Sequence, residues 1–215
     1  MEDNKNYKIG ILAFGSLINN PGKEISEITE TKIDCDTPFK VEFARVSSTR
    51  GNAPTLIPFE NGKIIKAKII ILQSNTDINT AKDILWRREL HKKDKTKKYT
   101  HKNKQEENDV VIEKLDNFMN VTTVLYTSIY GNIKQTLTGE LLADFAIKSI
   151  LSKAGQEEKD GIRYLLAAKR NGIITLLSNE YEKQILHKTK TTSLEEAIEK
   201  LDRQRMMYPI IQIIK

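Results

Sequence analysis

The sequence has few of the features that mark several common classes of protein. A single cysteine, Cys35, stands among 215 residues, so the chain cannot form a disulfide framework of its own. This fits a reducing compartment. The first residues, MEDNKNYK, are polar and lack the apolar stretch of a signal peptide. No segment approaches the roughly 20 apolar residues that a membrane span needs. We therefore expect a cytoplasmic protein with no membrane partner.

Several catalytic motifs are also missing. The chain has no G-x-G-x-x-G dinucleotide fingerprint, no P-loop and no G-x-S-x-G nucleophile elbow. None of its three histidines has a metal-ligand spacing such as H-E-x-x-H, so we expect no metal site. Cys35 lies between Asp34 and Asp36, whose charges would raise the pKa of the thiol. The sequence therefore disfavours a cysteine nucleophile.

The positive charge of the chain is concentrated in one run. The net charge is +6, and residues His91 to Lys104 contain seven lysines and one aspartate. The rest of the chain is balanced between basic and acidic residues. A nucleic-acid surface usually spreads basic residues over a face, with arginine and stacking aromatics. A nucleic-acid partner is therefore disfavoured, although Lys92 to Lys104 as a nucleic-acid-binding arm stays a third hypothesis.

The order of predicted elements indicates an α+β protein. Hydrophobic residues make up 39% of the chain and charged residues 30%, which is typical of a globular domain. β-rich runs fall at Ile9–Phe14, Phe39–Val46, Thr55–Phe59, Ile64–Leu72 and Thr122–Tyr130, and helical patterns at Asn79–His91, Leu141–Leu151, Gln156–Lys169 and from Ser193. Asn61-Gly62 predicts a hairpin between the third and fourth runs. Short consecutive strands favour a small mixed β-barrel with flanking helices. We expect one domain with a helical extension from about residue 180.

The first candidate site is Phe14-Gly15-Ser16-Leu17, which follows the first apolar run. A glycine at the end of a buried strand allows the backbone to approach a ligand closely. The amides that follow can bind a carboxylate or a phosphate. The alternative is a plain tight turn.

The second candidate is Glu89, at the end of the helical pattern that includes Trp86. A carboxyl group partly removed from water in this setting would suit proton transfer. The alternative is a surface salt bridge with Arg87, Arg88 or Lys92.

These segments resemble, in the same order, the motifs of the γ-glutamylcyclotransferase-like superfamily. Phe14 to Leu17 resembles its glycine loop, and Phe43 to Pro58 (FARVSSTRGNAPTLIP) its second signature. Leu85 to Glu89 resembles the segment with its catalytic glutamate. Ala154 to Leu166 (AGQEEKDGIRYLL) is similar to the glycine turn and Tyr-Leu helix of the ChaC-type branch.

The resemblance implies a small α+β barrel and a specific reaction. The α-amino group of a γ-glutamyl compound attacks its own side-chain carbonyl, giving 5-oxoproline and a free amine or amino acid. Glu89 would be the catalytic acid/base, with no metal or organic cofactor. The implied substrate-binding residues are Phe14, Gly15, Ser16, Leu17, Arg50 and Tyr99.

Two positions depart from the family pattern. Phe14 stands where the family usually has tyrosine, and the lysine-rich run separates Glu89 from Tyr99, the residue that would match the family's later tyrosine. The competing hypothesis is a module of the same fold that binds a small carboxylate or phosphate ligand without catalysis.

Overall fold

The computed structural model describes residues 7–102 and 104–213, with side chains up to residue 207. The fold class is α+β, as the sequence predicts. The chain divides into two compact units, each built from two stretches of sequence. The first unit contains Met1–Pro38 and Lys66–Tyr130, and the second contains Phe39–Ile65 and Gly131–Lys215.

The elements follow one another in mixed order along the chain. The strands are β1 (Tyr7–Ala13), β2 (Thr29–Asp36), β3 (Val41–Ser47), β4 (Ala53–Pro58), β5 (Lys66–Leu72), β6 (Val111–Phe118) and β7 (Val121–Ser128). The helices are α1 (Ser16–Asn19), α2 (Lys23–Glu27), α3 (Ile78–Glu89), α4 (Gly139–Ile150), α5 (Lys153–Gln156), α6 (Gly161–Arg170), α7 (Ser178–Thr189) and α8 (Leu194–Ile213), with a short 3-10 turn at Ser48–Arg50.

The first unit contains a five-stranded mixed sheet in the order β2-β5-β1-β7-β6. The central strand β1 pairs antiparallel with β5 and parallel with β7. Its apolar run is buried, which explains why the sequence there is nearly continuous rather than alternating. Within the described residues β2 and β6 are the two edges and do not pair with each other, so the sheet is open and no closed barrel forms.

Helix α3 carries Glu89, the candidate acid/base, as its last residue. The Asp77 side chain caps its start by accepting the N–H groups of Asn79 and Thr80 at 2.9 and 3.0 Å. Ile84 and Leu85 are buried, which fixes the rotation of the helix about its axis. The helix ends at Glu89.

The second unit combines the hairpin β3-β4 with helices α4 to α8. Its core contains Phe43, whose ring meets the edges of Tyr164 and Tyr181 at centroid distances of 6.2 and 5.4 Å. Tyr181 lies on α7 and is fully buried. The helical region that begins at residue 178 therefore contributes to this core.

The hairpin predicted between the third and fourth β-rich runs, with its turn at Asn61-Gly62, does not form. Strand β4 pairs with β3, whereas β5 pairs with β1 and β2 in the first unit. Gly62 is needed for another reason, because a Cβ atom there would lie 2.4 Å from the carbonyl oxygen of Val41. The glycine marks a close approach of two backbone segments. No helix within the described residues has the length and apolar character to cross a membrane.

Candidate functional site

The glycine loop leaves the central strand of the sheet and turns at once into α1. Gly15 has φ 81° and ψ −137°, a conformation that residues with a Cβ rarely adopt. Ser16 is half-buried, whereas Leu17 places its side chain in the core. The N–H groups of Ser16 and Leu17 are the first two of helix α1, and such groups have no acceptor within their own helix. The loop therefore presents backbone donors and one hydroxyl group.

Glu89 is the last residue of α3 and is partly buried, with 23% of its side chain exposed. Its Oε1 accepts a hydrogen bond of 2.6 Å from Nη1 of Arg88. This is one of the salt bridges that the sequence offered as the alternative. Among the described residues no group donates a hydrogen bond to Oε2 of Glu89, so one carboxylate oxygen stays open to a ligand.

Arg88 connects Glu89 with the glycine loop. Its Nη2 donates to Oγ of Ser16 at 3.2 Å and to the carbonyl oxygen of Asn20 at 2.6 Å, and its Nε reaches the same carbonyl at 3.2 Å. The guanidinium is planar and presents its donors in a fixed fork. A single rigid group thus holds the candidate base and the candidate loop at one place.

Arg87, the neighbouring residue, secures the same end of α3 from the other side. Its Nε and Nη2 bind the two carboxylate oxygens of Glu24 at 3.1 and 2.7 Å, the bidentate geometry that arginine favours. The hydrogen bonds from Arg87 lower the pKa of the Glu24 carboxyl group and raise the pKa of Arg87 itself. Glu24 is a residue that the sequence analysis missed. The only available signal was the pair of arginines that precedes Glu89.

Tyr99 is held by hydrogen bonds to Asp83 and Ile112. Its N–H donates to Oδ1 of Asp83 at 2.7 Å, and its hydroxyl oxygen accepts the N–H of Ile112 at 3.1 Å. The same hydroxyl lies 3.3 Å from Nδ1 of His101. Within the described ranges none of these contacts joins Tyr99 to the glycine loop or to Glu89.

Arg50 belongs to the second unit and packs there. Its guanidinium carbon lies 4.8 Å from the centroid of the Tyr164 ring, a cation–π contact, and its Nη1 donates to the carbonyl oxygen of Lys159 at 3.2 Å. The following Gly51 is left-handed, with φ 63°, and a Cβ there would lie 2.4 Å from Oγ of Ser152. These contacts give Arg50 a role in holding the end of the β3-β4 hairpin.

Cys35 behaves as the sequence predicts. Burial raises the pKa of its thiol to about 11, and the charges of Asp36 and Asp34 add to the effect. The thiol therefore stays protonated near neutral pH. In the part of the chain that the structure describes, no group of three or more histidine, cysteine, aspartate or glutamate side chains is placed to hold a metal ion.

Comparison of the chain with protein-family models, with curated proteins and with solved structures found no match.

Proposed function

We propose that this protein cleaves a γ-glutamyl amide by intramolecular cyclisation, with Glu89 as the acid/base. The observation that carries the proposal is the Arg88 guanidinium, which binds both the Glu89 carboxylate and the Ser16 hydroxyl. The reaction needs a proton acceptor beside a loop that can grip a carboxylate. Glu89 and the glycine loop meet this requirement with no residue of the second unit.

The chemistry uses the open oxygen of Glu89. The α-ammonium group of the substrate gives a proton to Oε2, and the freed amine attacks the γ-carbonyl carbon. A new C–N bond closes the five-membered ring as the bond to the leaving nitrogen breaks. Glu89 returns that proton to the leaving nitrogen, then takes the second proton from the ring nitrogen and passes it on in the same way. The products are therefore 5-oxoproline and an ammonium group on the released amine, and both protons lost by the α-ammonium group pass through one carboxyl group.

The glycine loop would bind the α-carboxylate of the substrate. The N–H groups of Ser16 and Leu17 can donate to its oxygens, and the positive φ of Gly15 turns the chain so that both groups follow directly on strand β1. Binding of the carboxylate would fix the position of the α-amine relative to the γ-carbonyl carbon. The flexible substrate would then be held in the geometry from which the amine can attack. Phe14 would supply an apolar wall without the hydroxyl of a tyrosine.

The proposal includes membership of the γ-glutamylcyclotransferase-like superfamily, with an open mixed sheet where that family has a small barrel, and a cytoplasmic location. Support for the membership comes from the glycine loop at the end of the central strand of the mixed sheet. Support for the location comes from the single, buried cysteine.

The test is release of 5-oxoproline from glutathione, γ-glutamyl amino acids and γ-glutamyl amines. Glu89→Gln keeps the shape and the bond to Arg88 but removes the base, so we expect turnover to fall at least 100-fold, the lower end for general acid–base catalysis. The matched control is Glu27→Gln on the exposed surface of α2, which we expect to keep full activity. Equal turnover in wild type and Glu89→Gln would refute the role of Glu89.

One observation favours a second candidate, a binding module without catalysis. The Glu89 carboxylate already has one oxygen bound to Arg88 at 2.6 Å, which is also what a purely structural ion pair would show. On that hypothesis the loop binds a small carboxylate or phosphate compound, and calorimetry detects binding of γ-glutamyl compounds that are never cleaved.

A further inference from the structure

The lysine-rich run, here called the lysine segment (His91–Lys104), is fastened to α3 along its backbone. The N–H of Lys92 donates to the carbonyl oxygen of Arg87 at 2.8 Å. The side chain of Arg87 then donates from Nη1 to the carbonyl oxygen of Lys97, also at 2.8 Å. One buried arginine therefore binds both arms of the segment, which folds back over the end of the helix.

A buried carboxylate provides the second attachment. Asp83 lies one helical turn before Arg87 and is 7% exposed. It accepts the N–H of Tyr99 at 2.7 Å and forms an ion pair with Lys98 at 3.0 Å. The Tyr99 ring lies beside Trp86, with 6.5 Å between the centroids. These contacts fix the end of the folded-back part of the segment.

A tight turn lies between the two places at which Arg87 contacts the segment, Lys92 and Lys97. Asp94 accepts the N–H of Thr96 at 2.9 Å and its hydroxyl at 2.6 Å, and the N–H of Lys97 donates to the Asp94 carbonyl oxygen at 3.3 Å. The hydrogen bonds from Thr96 lower the pKa of Asp94, so its carboxylate stays charged and keeps the turn. These hydrogen bonds fix the backbone conformation of the turn from which the lysine side chains extend.

Among the residues that the structure describes, four lysines of the lysine segment have no close ion pair. Lys98 and Lys102 pair with Asp83 and Asp109. In the described ranges no carboxylate lies within ion-pair distance of the four lysines between residues 92 and 97, all of which are exposed: Lys92, Lys93, Lys95 and Lys97. Like charges placed together repel one another, and an anionic ligand would relieve that repulsion.

The lysine segment lies at the same end of α3 as the candidate site. It begins two residues after Glu89, where the N–H of His91 donates to the carbonyl oxygen of Arg88 at 3.2 Å. The charge of Lys95 contributes to the lowered pKa of Glu24, which Arg87 binds. Exposed lysines that have no close ion pair in the described ranges and the open oxygen of Glu89 therefore lie at the same end of α3.

We propose that the preferred substrate is a γ-linked chain of glutamate residues, whose carboxylates beyond the reacting residue contact Lys92, Lys93, Lys95 and Lys97. This inference depends on the proposed function. Each residue of such a chain carries a free α-carboxylate, so negative charge repeats along it, whereas a γ-glutamyl amine has only one carboxylate. Complementary charge of this kind guides and retains an anionic ligand.

The reaction would remove one residue from the chain at each turnover. Only the first residue has a free α-amine, so only that residue can cyclise. Its ammonium group gives up two protons through Glu89 as its nitrogen attacks its own γ-carbonyl carbon and the amide bond to the second residue breaks. The new amino end receives both protons and leaves as an ammonium group. The products are 5-oxoproline and a chain one residue shorter, with no other reactant.

Nucleic acid fits the segment less well. The residues from 91 to 104 contain no arginine. Their tyrosine ring, Tyr99, is half-buried beside Trp86. Nucleic-acid surfaces usually combine arginine with exposed aromatic rings.

The experiment compares a γ-linked pentaglutamate with a γ-glutamyl alkylamide as substrates. The test variant carries Lys92→Gln, Lys93→Gln, Lys95→Gln and Lys97→Gln, which leave the backbone attachments in place. The control variant loses four exposed lysines of the second unit: Lys40→Gln, Lys63→Gln, Lys148→Gln and Lys190→Gln. Both variants lose the same charge.

We expect the KM for pentaglutamate to rise about tenfold in the test variant, the combined effect of four exposed charge pairs. We expect kcat to stay constant, the alkylamide to be unaffected and the control variant to match wild type. Added salt should raise the KM for pentaglutamate in wild type and have little effect in the test variant. An equal KM for pentaglutamate in the test and control variants would overturn the proposal.

A binding measurement separates this inference from the reaction. Pentaglutamate is titrated into Glu89→Gln protein with and without the four test substitutions. Binding that depends on the four lysines, without turnover in wild type, would refute the reaction and support the ligand class. Single-stranded RNA is titrated in parallel. Lysine-dependent binding of RNA but not of pentaglutamate would overturn the inference in favour of a nucleic-acid partner.

Discussion

Asp160 in the second unit and Glu89 in the first unit each bind an arginine, and they differ in whether both of their carboxylate oxygens accept hydrogen bonds. In the second unit, Oδ1 of Asp160 accepts the N–H groups of Ile162 and Arg163 at 3.0 Å each, and Oδ2 accepts Nη1 of Arg163 at 2.6 Å. Arg163 also binds Asp202 on α8. Asp160 is completely buried. This cluster ties the start of α6 to α8 and has no oxygen of Asp160 left for a ligand.

The cluster at the end of α3 also pairs an arginine with a carboxylate, but there one carboxylate oxygen has no hydrogen-bond donor in the described part of the chain. Glu89 uses one oxygen for Arg88, and its other oxygen has no donor among the described residues. Its side chain is 23% exposed, so a small molecule can reach it. The comparison teaches that an arginine–carboxylate pair becomes a candidate site when one oxygen stays both accessible and unbound. The predictions below test that distinction.

The largest expected effect on stability is at the cluster of Asp160 and Arg163 in the second unit. Asp160→Asn leaves Arg163 without one of its carboxylate partners in a buried setting, so we expect a loss of about 3–5 kcal/mol in the free energy of unfolding. Chemical denaturation measures it. Turnover per folded molecule should not change. A stability within 1 kcal/mol of wild type, as is typical of surface pairs, would show that the two clusters do not differ as described.

Arg88→Lys tests whether the arginine positions Glu89 at the end of α3. Lysine keeps the positive charge but cannot bind Glu89, Ser16 and the Asn20 carbonyl together. We expect kcat/KM for γ-glutamyl substrates to fall about tenfold, the cost of losing roughly one charged hydrogen bond. Arg88→Ala should regain part of its activity with added guanidinium ion at concentrations that do not unfold the protein. Wild-type kcat/KM in Arg88→Lys would remove Arg88 from the positioning of Glu89.

A smaller and pH-dependent effect is expected at Glu24. Its pKa is lower in the folded state because Arg87 hydrogen-bonds to its charged form. The pair therefore stabilises the fold fully above the ordinary pKa of glutamate, and the stabilisation disappears as pH falls through the lower folded value. Glu24→Gln should cost about 1–2 kcal/mol at pH 7. The unfolding midpoints of wild type and Glu24→Gln, measured from pH 7 to pH 3, should approach each other as pH falls. A difference that stays constant would contradict the ion pair of Glu24 with Arg87 as its cause.

The α+β class and the glycine loop were predictable because each depends on local signals. The apolar run before Gly15 predicts a buried strand, and Gly15 does adopt positive φ. The direction of the pKa change of Cys35 was likewise predictable from its acidic neighbours, whereas its burial, the larger cause, was not. Local sequence is enough where neighbouring residues determine the outcome.

Strand partners and long-range contacts were not predictable in the same way. The turn at Asn61-Gly62 indicated a hairpin with β5, but β5 pairs with β1 and β2 because its continuous apolar run suits the centre of a sheet. Glu24 lies 63 residues from Arg87, and nothing in its own sequence context signals that contact. The contacts of Arg50 with Tyr164 and of Tyr99 with Ile112 were equally unpredictable, and the substrate-binding role that the resemblance implies for both residues stays a prediction.

The most direct test of the central claim is the release of 5-oxoproline by wild type, Glu89→Gln and Glu27→Gln, assayed together with their thermal midpoints. The account predicts release by wild type and Glu27→Gln, a loss of about 100-fold or more in Glu89→Gln, and the same midpoint for all three. No release from any γ-glutamyl compound, or equal release by wild type and Glu89→Gln, would contradict it.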